Sequence, residues 1–407
     1  MGPLPPEFAS QDVLTIAGRP PEDWADALGT PAFVYDFAIA HARVARLRAA
    51  LPAGVDIHFA IKANPFAPLV GAMAEIVDGL DVASGGELEK ALAVKPAAAI
   101  SFAGPGKRDV ELEAAITAGA TINLESEGEA ERALSIAERL GITPRLAVRV
   151  NPSFELRGSG MKMGGRASPF GIDAVRVPAL VRRLIAAGAD WRGFHIFAGS
   201  QSLDTAAIIE TQAATLALSE ALFEQSGWVP PLVNLGGGFG VPYFAGDQPV
   251  DVEKIGAALG TAIARCDLTV AGTRYAIELG RWLVAECGVY LARVIDRKES
   301  GGETFLVTDG GLHHQLAATG NFGTVVRRNY PVALAKAVRA APEETVSIVG
   351  PLCTPLDRLA DRVALPRAEA GDVVAVFLAG AYGVSASPTR FLGHPEPAEM
   401  LANAPYD

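Results

Sequence analysis

Between residues 55 and 278 the sequence repeats one rhythm eight times: a short apolar, β-branched run, then an Ala/Leu/Glu-rich amphipathic stretch. The runs at 55–62, 79–83, 98–103, 120–124, 145–150, 193–197, 232–235 and 274–278 read as strands. The stretches between them, such as 86–93 and 127–140, read as helices. Parallel strands joined by helices need cover on both faces. Eight such units predict a closed (β/α)8 TIM barrel rather than an open sheet.

After Glu278 the texture changes. Runs at 290–297, 304–308, 345–349 and 373–378 are strand-like, long helices are scarce, and Gly/Pro turns intervene. This predicts an α/β chain: a barrel over 31–280, then a β-sandwich or β-barrel domain over 281–407 onto which residues 1–30 pack. Two further strand-like runs, 13–16 and 31–35, precede the barrel.

Composition bounds the function. The chain has 407 residues, enough for two domains, and half of them are apolar. A net charge of −11 gives no general attraction for nucleic acid or an anionic membrane, so any anion must be caught locally. Cys266, Cys287 and Cys353 are odd in number and far apart, with no CxxC or His/Cys cluster. That pattern predicts reduced thiols, no metal site and a cytoplasmic location. The Pro-rich, acidic N-terminus lacks the basic and apolar regions of a signal peptide, and no run is long and apolar enough to span a bilayer.

Barrel enzymes place chemistry at the C-terminal ends of their strands. Here those ends carry Lys62, Ser84, Gly104, Glu125, Asn151, His195, Gly236 and Glu278. Lys62 closes the apolar run HFAIKANP, where partial desolvation would lower its pKa and free the amine for imine chemistry. A snorkelling surface lysine reads the same way when taken alone. Gly236, Gly237 and Gly238 follow the seventh strand, and Gly280-Arg281 the eighth. Glycines let backbone N–H groups approach an anion and arginine adds a fork of donors, so these loops suit a phosphate, although a tight turn also explains glycines. A carboxylate at Glu278 needs a partner: either Arg281 in a structural pair or a protonated ring nitrogen. Lysine, phosphate cradle and ring-facing acid together match the needs of pyridoxal 5'-phosphate.

The motifs FAIKANP, DVASGGEL, HIFAGSQ, NLGGGFG, ELGR, VTDGG, GPLCTPLD and GAYG follow one another along nearly the whole chain. In this order they resemble the fold-type III pyridoxal-phosphate decarboxylases, the ornithine and diaminopimelate decarboxylase family, whose barrel is like that of alanine racemase. The loop FELRGSGMKMGG, the run VVRRNYPVA and the tail HPEPAEML are similar to the decarboxylases associated with exosortase systems. The resemblance implies that Lys62 forms the Schiff base, His195 stacks on the cofactor ring and Glu278 faces the ring nitrogen. It implies that Ser200, Gly236, Gly237, Gly238, Gly280, Arg281 and Tyr382 surround the phosphate, and that Asp81 and Arg149 support the groups around Lys62 and Glu278. Cys353 and Asp357 resemble residues that enter the active site from the second subunit of a homodimer, with Cys353 the candidate for reprotonating Cα.

The sequence also departs from that pattern. ELGR stands where EPGR is usual, and Phe197-Ala198 lengthens HIGSQ-like text. Thr354 follows Cys353 where relatives carry an acid that binds the substrate's distal amine, which argues against ornithine, lysine or diaminopimelate. The loop 154–171 holds five glycines and the cations Arg157, Lys162 and Arg166 against one acid, Glu155. It is expected to be mobile and to capture an anion, with Lys162 and Arg166 touching the substrate; a solvated basic loop is the plainer account. The expected reaction is removal of the α-carboxylate from a free amino acid or from an aminoacyl group tethered to a carrier. An amino-acid racemase and a non-catalytic cofactor-binding homologue are the alternatives.

Overall fold

The computed structural model describes residues 2–9, 11, 13–158, 160–162, 167–320 and 328–404. The chain forms two compact units. One comprises Val44–Val241 and Pro249–Gly280; the other comprises Met1–Arg43, Pro242–Gln248 and Arg281–Asp407.

β1 (Ala32–Asp36) belongs to the second unit, and the barrel of the first begins with β2 (Val55–Ala60), β3 (Gly79–Val82), β4 (Ile100–Phe102), β5 (Thr121–Leu124) and β6 (Arg145–Asn151). Two-residue strands β7 (Met161–Lys162) and β8 (Ile172–Asp173) follow, then β9 (Asp190–Ile196), the short β10 (Gly199–Ser200), β11 (Leu232–Gly237) and β12 (Arg274–Leu279). Parallel pairing runs β2, β3, β4, β5, β6, β9, β11, β12 and closes from β12 onto β2. This is the predicted eight-stranded barrel. β8 extends the outer end of β6, and β10 pairs with β7.

Local chemistry starts and stops the helices between strands. Ser84, Ser126 and Asp251 accept a hydrogen bond from the third residue of the following helix, and Asp204 from the second and third of its own. Gly119, Gly141 and Gly227 end their helices in the left-handed conformation that glycine adopts without strain. Ser84 at the end of the second barrel strand is therefore a helix cap. The interior is unusual for this architecture, whose core is ordinarily filled by bulky branched residues. His58, Asp81, Asn123, Arg149, His195, Asn234 and Glu278 are all buried polar residues on barrel strands.

The second unit is a sheet of β13 (Gly288–Ser300), β14 (Glu303–Thr308), β15 (Val332–Leu334), β16 (Glu344–Val349), β17 (Arg358–Leu365) and β18 (Val373–Val376), completed by β19 (Ala398–Ala402). Its order is β15, β18, β13, β14, β16, β17, with β1 against β13 and β19 against β1. Gly301 and Gly302, both at positive φ, turn β13 into β14 as a two-residue hairpin loop. The expected boundary at residue 30 is corrected. β1 pairs antiparallel with β13 and parallel with β19, so the second unit runs to Arg43 and recruits Pro242–Gln248 as well. The run 13–16 makes only an isolated bridge, Ile16 to Arg19. Among the described residues no helix is long and apolar enough to cross a membrane.

Backbone clearance between barrel strands is testable at Gly193. Its φ is +108°, and a Cβ there would lie 1.8 Å from the Leu232 carbonyl oxygen on the neighbouring strand. Gly141 has φ +66° but open space around it. Gly141→Ala should cost about 1 kcal/mol from backbone strain alone. Gly193→Ala should cost clearly more, toward or beyond the upper end of the roughly 1–3 kcal/mol typical of overpacking. Denaturant melts of the two variants side by side make the comparison; equal losses would mean that β9 and β11 part freely.

Candidate active site

Lys62 lies just beyond β2, in the single 3-10 turn Ile61–Ala63, with both neighbours buried. The side chain itself is exposed, which corrects the expectation of a partly desolvated amine. The strand stops at Ala60, and the turn lifts Lys62 clear of the packed wall. Its Nζ stands 5.9 Å from the centre of the Phe197 ring. Phe197 thus sets an aromatic ring beside the lysine.

Glu278 on β12 and His195 on β9 meet across the intervening strand β11. His195 Nε2 lies 2.9 Å from Glu278 Oε2, with the residues 2% and 6% exposed. Burial pushes the carboxyl toward its neutral form, but the His195 hydrogen bond and the charges of His195, Lys62 and Arg149 outweigh it. Glu278 is held well below the usual carboxylate range and stays ionised. With Nε2–H donated to Glu278, His195 Nδ1 is buried with no hydrogen-bond partner.

Arg149 is anchored by Glu125, Nη1 to Oε1 at 2.8 Å. Glu125 also accepts from the backbone of Gly104 and Gly171, and its own N–H donates to Glu129, which pairs with buried Lys107 at 2.6 Å. Asp81 pairs with His58 at 3.2 Å. Sequence reasoning missed Glu125 as Arg149's partner and His58 as Asp81's. A signal for His58 existed: it is a polar residue in the apolar run that leads to Lys62.

The glycines of the seventh and eighth loops are required by packing. A Cβ on Gly236, Gly237 or Gly238 would fall 2.6, 2.0 or 2.2 Å from the carbonyl oxygens of Ile196, Glu278 and Gly199. At Gly280 it would meet Ala63 Cβ at 2.8 Å. Glycine at these places brings the loop against β9, β12 and β10, and brings the end of β12 against the turn that carries Lys62. Ser200 sits half-buried on β10.

The second unit carries a polar and aromatic cluster of its own. Arg281 Nη1 donates to Tyr243 Oη at 3.1 Å, and its guanidinium lies 4.5 Å from the Tyr382 ring centre. Tyr243 in turn stacks on Tyr330 at 4.5 Å. Tyr382 holds a left-handed φ of 54°, a strained conformation of the sort that gathers at functional sites. Among the described residues no carboxylate forms an ion pair with Arg281, which leaves a guanidinium framed by aromatic rings and open to an anion. Tyr243 carried no sequence signal.

Cys353 is exposed. Asp357, expected at a substrate, is instead 2% exposed, its carboxylate accepting from the backbone of Leu312 at 2.6 Å and Leu352 at 2.9 Å. Gly311 and Gly350 leave room for it, since a Cβ on either would strike its oxygens. Asp357 thus clips the Cys353 loop to the 309–316 loop. Of the cations in the loop 154–171, Arg157 is paired with Glu210. Lys162 lies on β7 with its side chain outside the described atoms, and Arg166 lies outside the described residues.

In the barrel unit, an ionised acid and an exposed lysine fit the ring nitrogen and aldehyde of pyridoxal phosphate. A family model described as "Pyridoxal-dependent decarboxylase, pyridoxal binding domain" matches residues 38–285. The chain belongs to the pyridoxal-dependent decarboxylases. This decarboxylase is 37% identical over 386 residues to the L-glutamyl-[BtrI acyl-carrier protein] decarboxylase of Niallia circulans, covering 93% of this chain and 90% of that one. It is 31% identical over 401 residues to the diaminopimelate decarboxylase of Archaeoglobus fulgidus, covering 97% and 93%. The crystal structure of the M. jannaschii diaminopimelate decarboxylase in complex with L-lysine superposes with a TM-score of 0.83 at 26% identity, over 97% of this chain and 92% of that one. A closed parallel barrel with a separate, mostly stranded unit is the family fold, and pyridoxal phosphate is the family cofactor.

Because Glu278 titrates lower folded than unfolded, its contribution to stability is complete above about pH 4.5 and is lost as pH falls toward about 2. Glu278→Gln should flatten the fall of melting temperature over that range relative to the wild type. Parallel slopes in thermal melts between those limits would mean that the carboxylate is not held ionised by its neighbours.

Proposed function

We propose that this decarboxylase removes the α-carboxylate of an amino acid whose far end carries no free ammonium group, a glutamyl unit tethered to a carrier protein being the best fit. The feature that carries this reading is Thr354, next to Cys353. Its hydroxyl accepts from the Leu356 N–H and offers no charge to an ammonium. A buried or half-buried ammonium left without a carboxylate loses its solvation uncompensated, so lysine-like substrates are disfavoured. A relative named for a carrier-bound glutamyl substrate, alike over most of the chain, supports the same choice.

Bound pyridoxal phosphate supplies an electron sink for the bond broken at Cα. Lys62 Nζ would hold it covalently and yield to the substrate's amine. Glu278, ionised, would keep the proton on the ring nitrogen, and His195 keeps Glu278 turned inward through Nε2–H. Arg281, with Tyr382, would take the phosphate, in company with Ser200 and the Gly236–Gly238 backbone. Arg149, fixed by Glu125, adds positive charge near Glu278, and Asp81 supports the strand next to β2. Cys353 Sγ would deliver the proton to Cα. Since Cys353 is exposed on the second unit, we place it in the site of a second copy, in a homodimer. Three unpaired cysteines suit the reducing cytoplasm.

Three measurements test this. Purified protein should trap its cofactor on Lys62 when treated with borohydride, and Lys62→Ala should reduce CO2 release to background; a variant that retained wild-type turnover would remove Lys62 from the reaction. A screen of free amino acids and carrier-bound aminoacyl thioesters, read as CO2, should favour a glutamyl thioester over ornithine and lysine, and Thr354→Glu should narrow that preference. Efficient lysine decarboxylation by the wild type would overturn the reading of Thr354. Mixed Lys62→Ala and Cys353→Ala proteins should regain activity through hybrid sites; no recovery despite proven subunit exchange would confine Cys353 to its own chain.

A further inference from the structure

His58 stands on β2 in phase with Ala60, the last residue before the turn that carries Lys62. It pairs in register with Glu278 of β12 on one side and Gly79 of β3 on the other. Its ring occupies the space that a side chain at residue 79 would need: a Cβ on Gly79 would lie 2.6 Å from Nε2 and 2.8 Å from its ring neighbours. Laid across β3 in this way, the ring brings Nδ1 to 3.2 Å from Asp81 Oδ2. The approach is too poorly aligned for a hydrogen bond, so neither atom has a hydrogen-bond partner although both are buried. His58 is 8% exposed and Asp81 5%. A neutral ring would leave an uncompensated buried carboxylate oxygen beside it, which is unfavourable; an imidazolium answers it by charge.

The remaining exposure of His58 is to a cavity of about 720 Å³ in the N-terminal half of the barrel, which Ser101, Asn123, Asn234 and Arg192 also line. Barrel interiors of this class are ordinarily packed solid. A polar chamber of that size holds water. Three acids face the ring: Asp56 on its own strand, Asp81 on β3 and Glu278 on β12. Asp56 is paired with Arg274, also of β12. Asp78, Lys95 and Arg192 line the chamber, with Asp78 paired to Arg48 and Lys95 donating to the carbonyls of Ala74 and Val77. Burial favours the neutral ring, but Asp81, then Asp56 and Glu278, outweigh it and raise its pKa. The stabilisation is therefore complete below the ordinary imidazole pKa and is lost as pH rises through the raised value.

We propose that His58 is a positioning residue: its imidazolium holds Asp81 beside the strand that leads into the Lys62 turn, and it exchanges its proton with water in the N-terminal chamber. The C-terminal site then senses pH through the floor of the barrel. The proposal rests on Lys62 being the cofactor lysine, but its first test does not.

In full-length protein carrying 15N-histidine, the His58 signal should titrate above the ordinary imidazole value of about 6.5, and its pKa should fall in Asp81→Asn. Titration at or below 6.5, unmoved by Asp81→Asn, overturns the imidazolium. The second measurement is cofactor retention, read by absorbance after dialysis across pH. Wild-type holoenzyme should loosen its cofactor by about tenfold as His58 deprotonates, within the range of coupling between linked sites. His58→Gln should show the looser value throughout, with no step. A step of equal size in His58→Gln overturns the coupling while leaving the titration and the role of Lys62 standing, whereas failure of borohydride trapping at Lys62 removes the cofactor reading alone.

Discussion

A carboxylate kept ionised inside a barrel has to be answered from several strands at once, and Glu278 is that carboxylate. His195 reaches it from β9, Arg149 adds charge from β6, and Lys62 from the end of β2. Each of those groups brings its own requirement. Arg149 is buried and is held by Glu125; the Glu125 backbone is held by Glu129; Glu129 is neutralised by buried Lys107. Asp81 and His58 close the same account on β2 and β3. Breaking one member of such a pair typically costs about 3–5 kcal/mol, whereas replacing a whole pair by apolar side chains is often neutral. Fold stability therefore gives no reason to fill this interior with charge, and the chemistry at the barrel mouth does.

Close backbone approach is the second requirement. Where His195 and Glu278 meet, β11 runs close to β9 and β12, and Gly236 and Gly237 leave no side chain between the backbones. Gly280 performs the same service for the turn that carries Lys62. The glycine-rich loops, which look in the sequence like a phosphate cradle, are needed by the wall before any anion arrives. Both uses are compatible, because a loop that has shed its side chains to pack tightly also presents bare backbone N–H groups.

The second unit works by a similar economy. Asp357 spends its carboxylate on two backbone N–H groups and so sets the position of the exposed Cys353 loop relative to the 309–316 loop. Arg281 is framed by Tyr243 and Tyr382, which screen it from water and supply no opposing charge. Solved structures of diaminopimelate decarboxylases share this fold over 90% or more of the chain.

The order of strands and helices is local in the chain, so periodicity reveals it directly, whereas the caps at Ser84, Ser126 and Asp251 and the glycine stops at Gly119 and Gly141 emerged with the structure. The identity of Lys62, His195 and Glu278 as residues at strand ends was legible in the same way as the strand order. Their mutual geometry was not local. The His195–Glu278 bond joins residues 83 apart, and Arg149–Glu125 joins residues 24 apart. The capture of β1 and Pro242–Gln248 by the second unit, the burial of Asp357 and the exposure of Lys62 likewise depend on which segments fold against which. Sequence by itself determined the barrel and the chemical types lining its mouth, because propensity and alternation act over a few residues. Tertiary structure decided which of those groups are charged, paired or free, because ionisation inside a protein is set by distances between side chains from different strands.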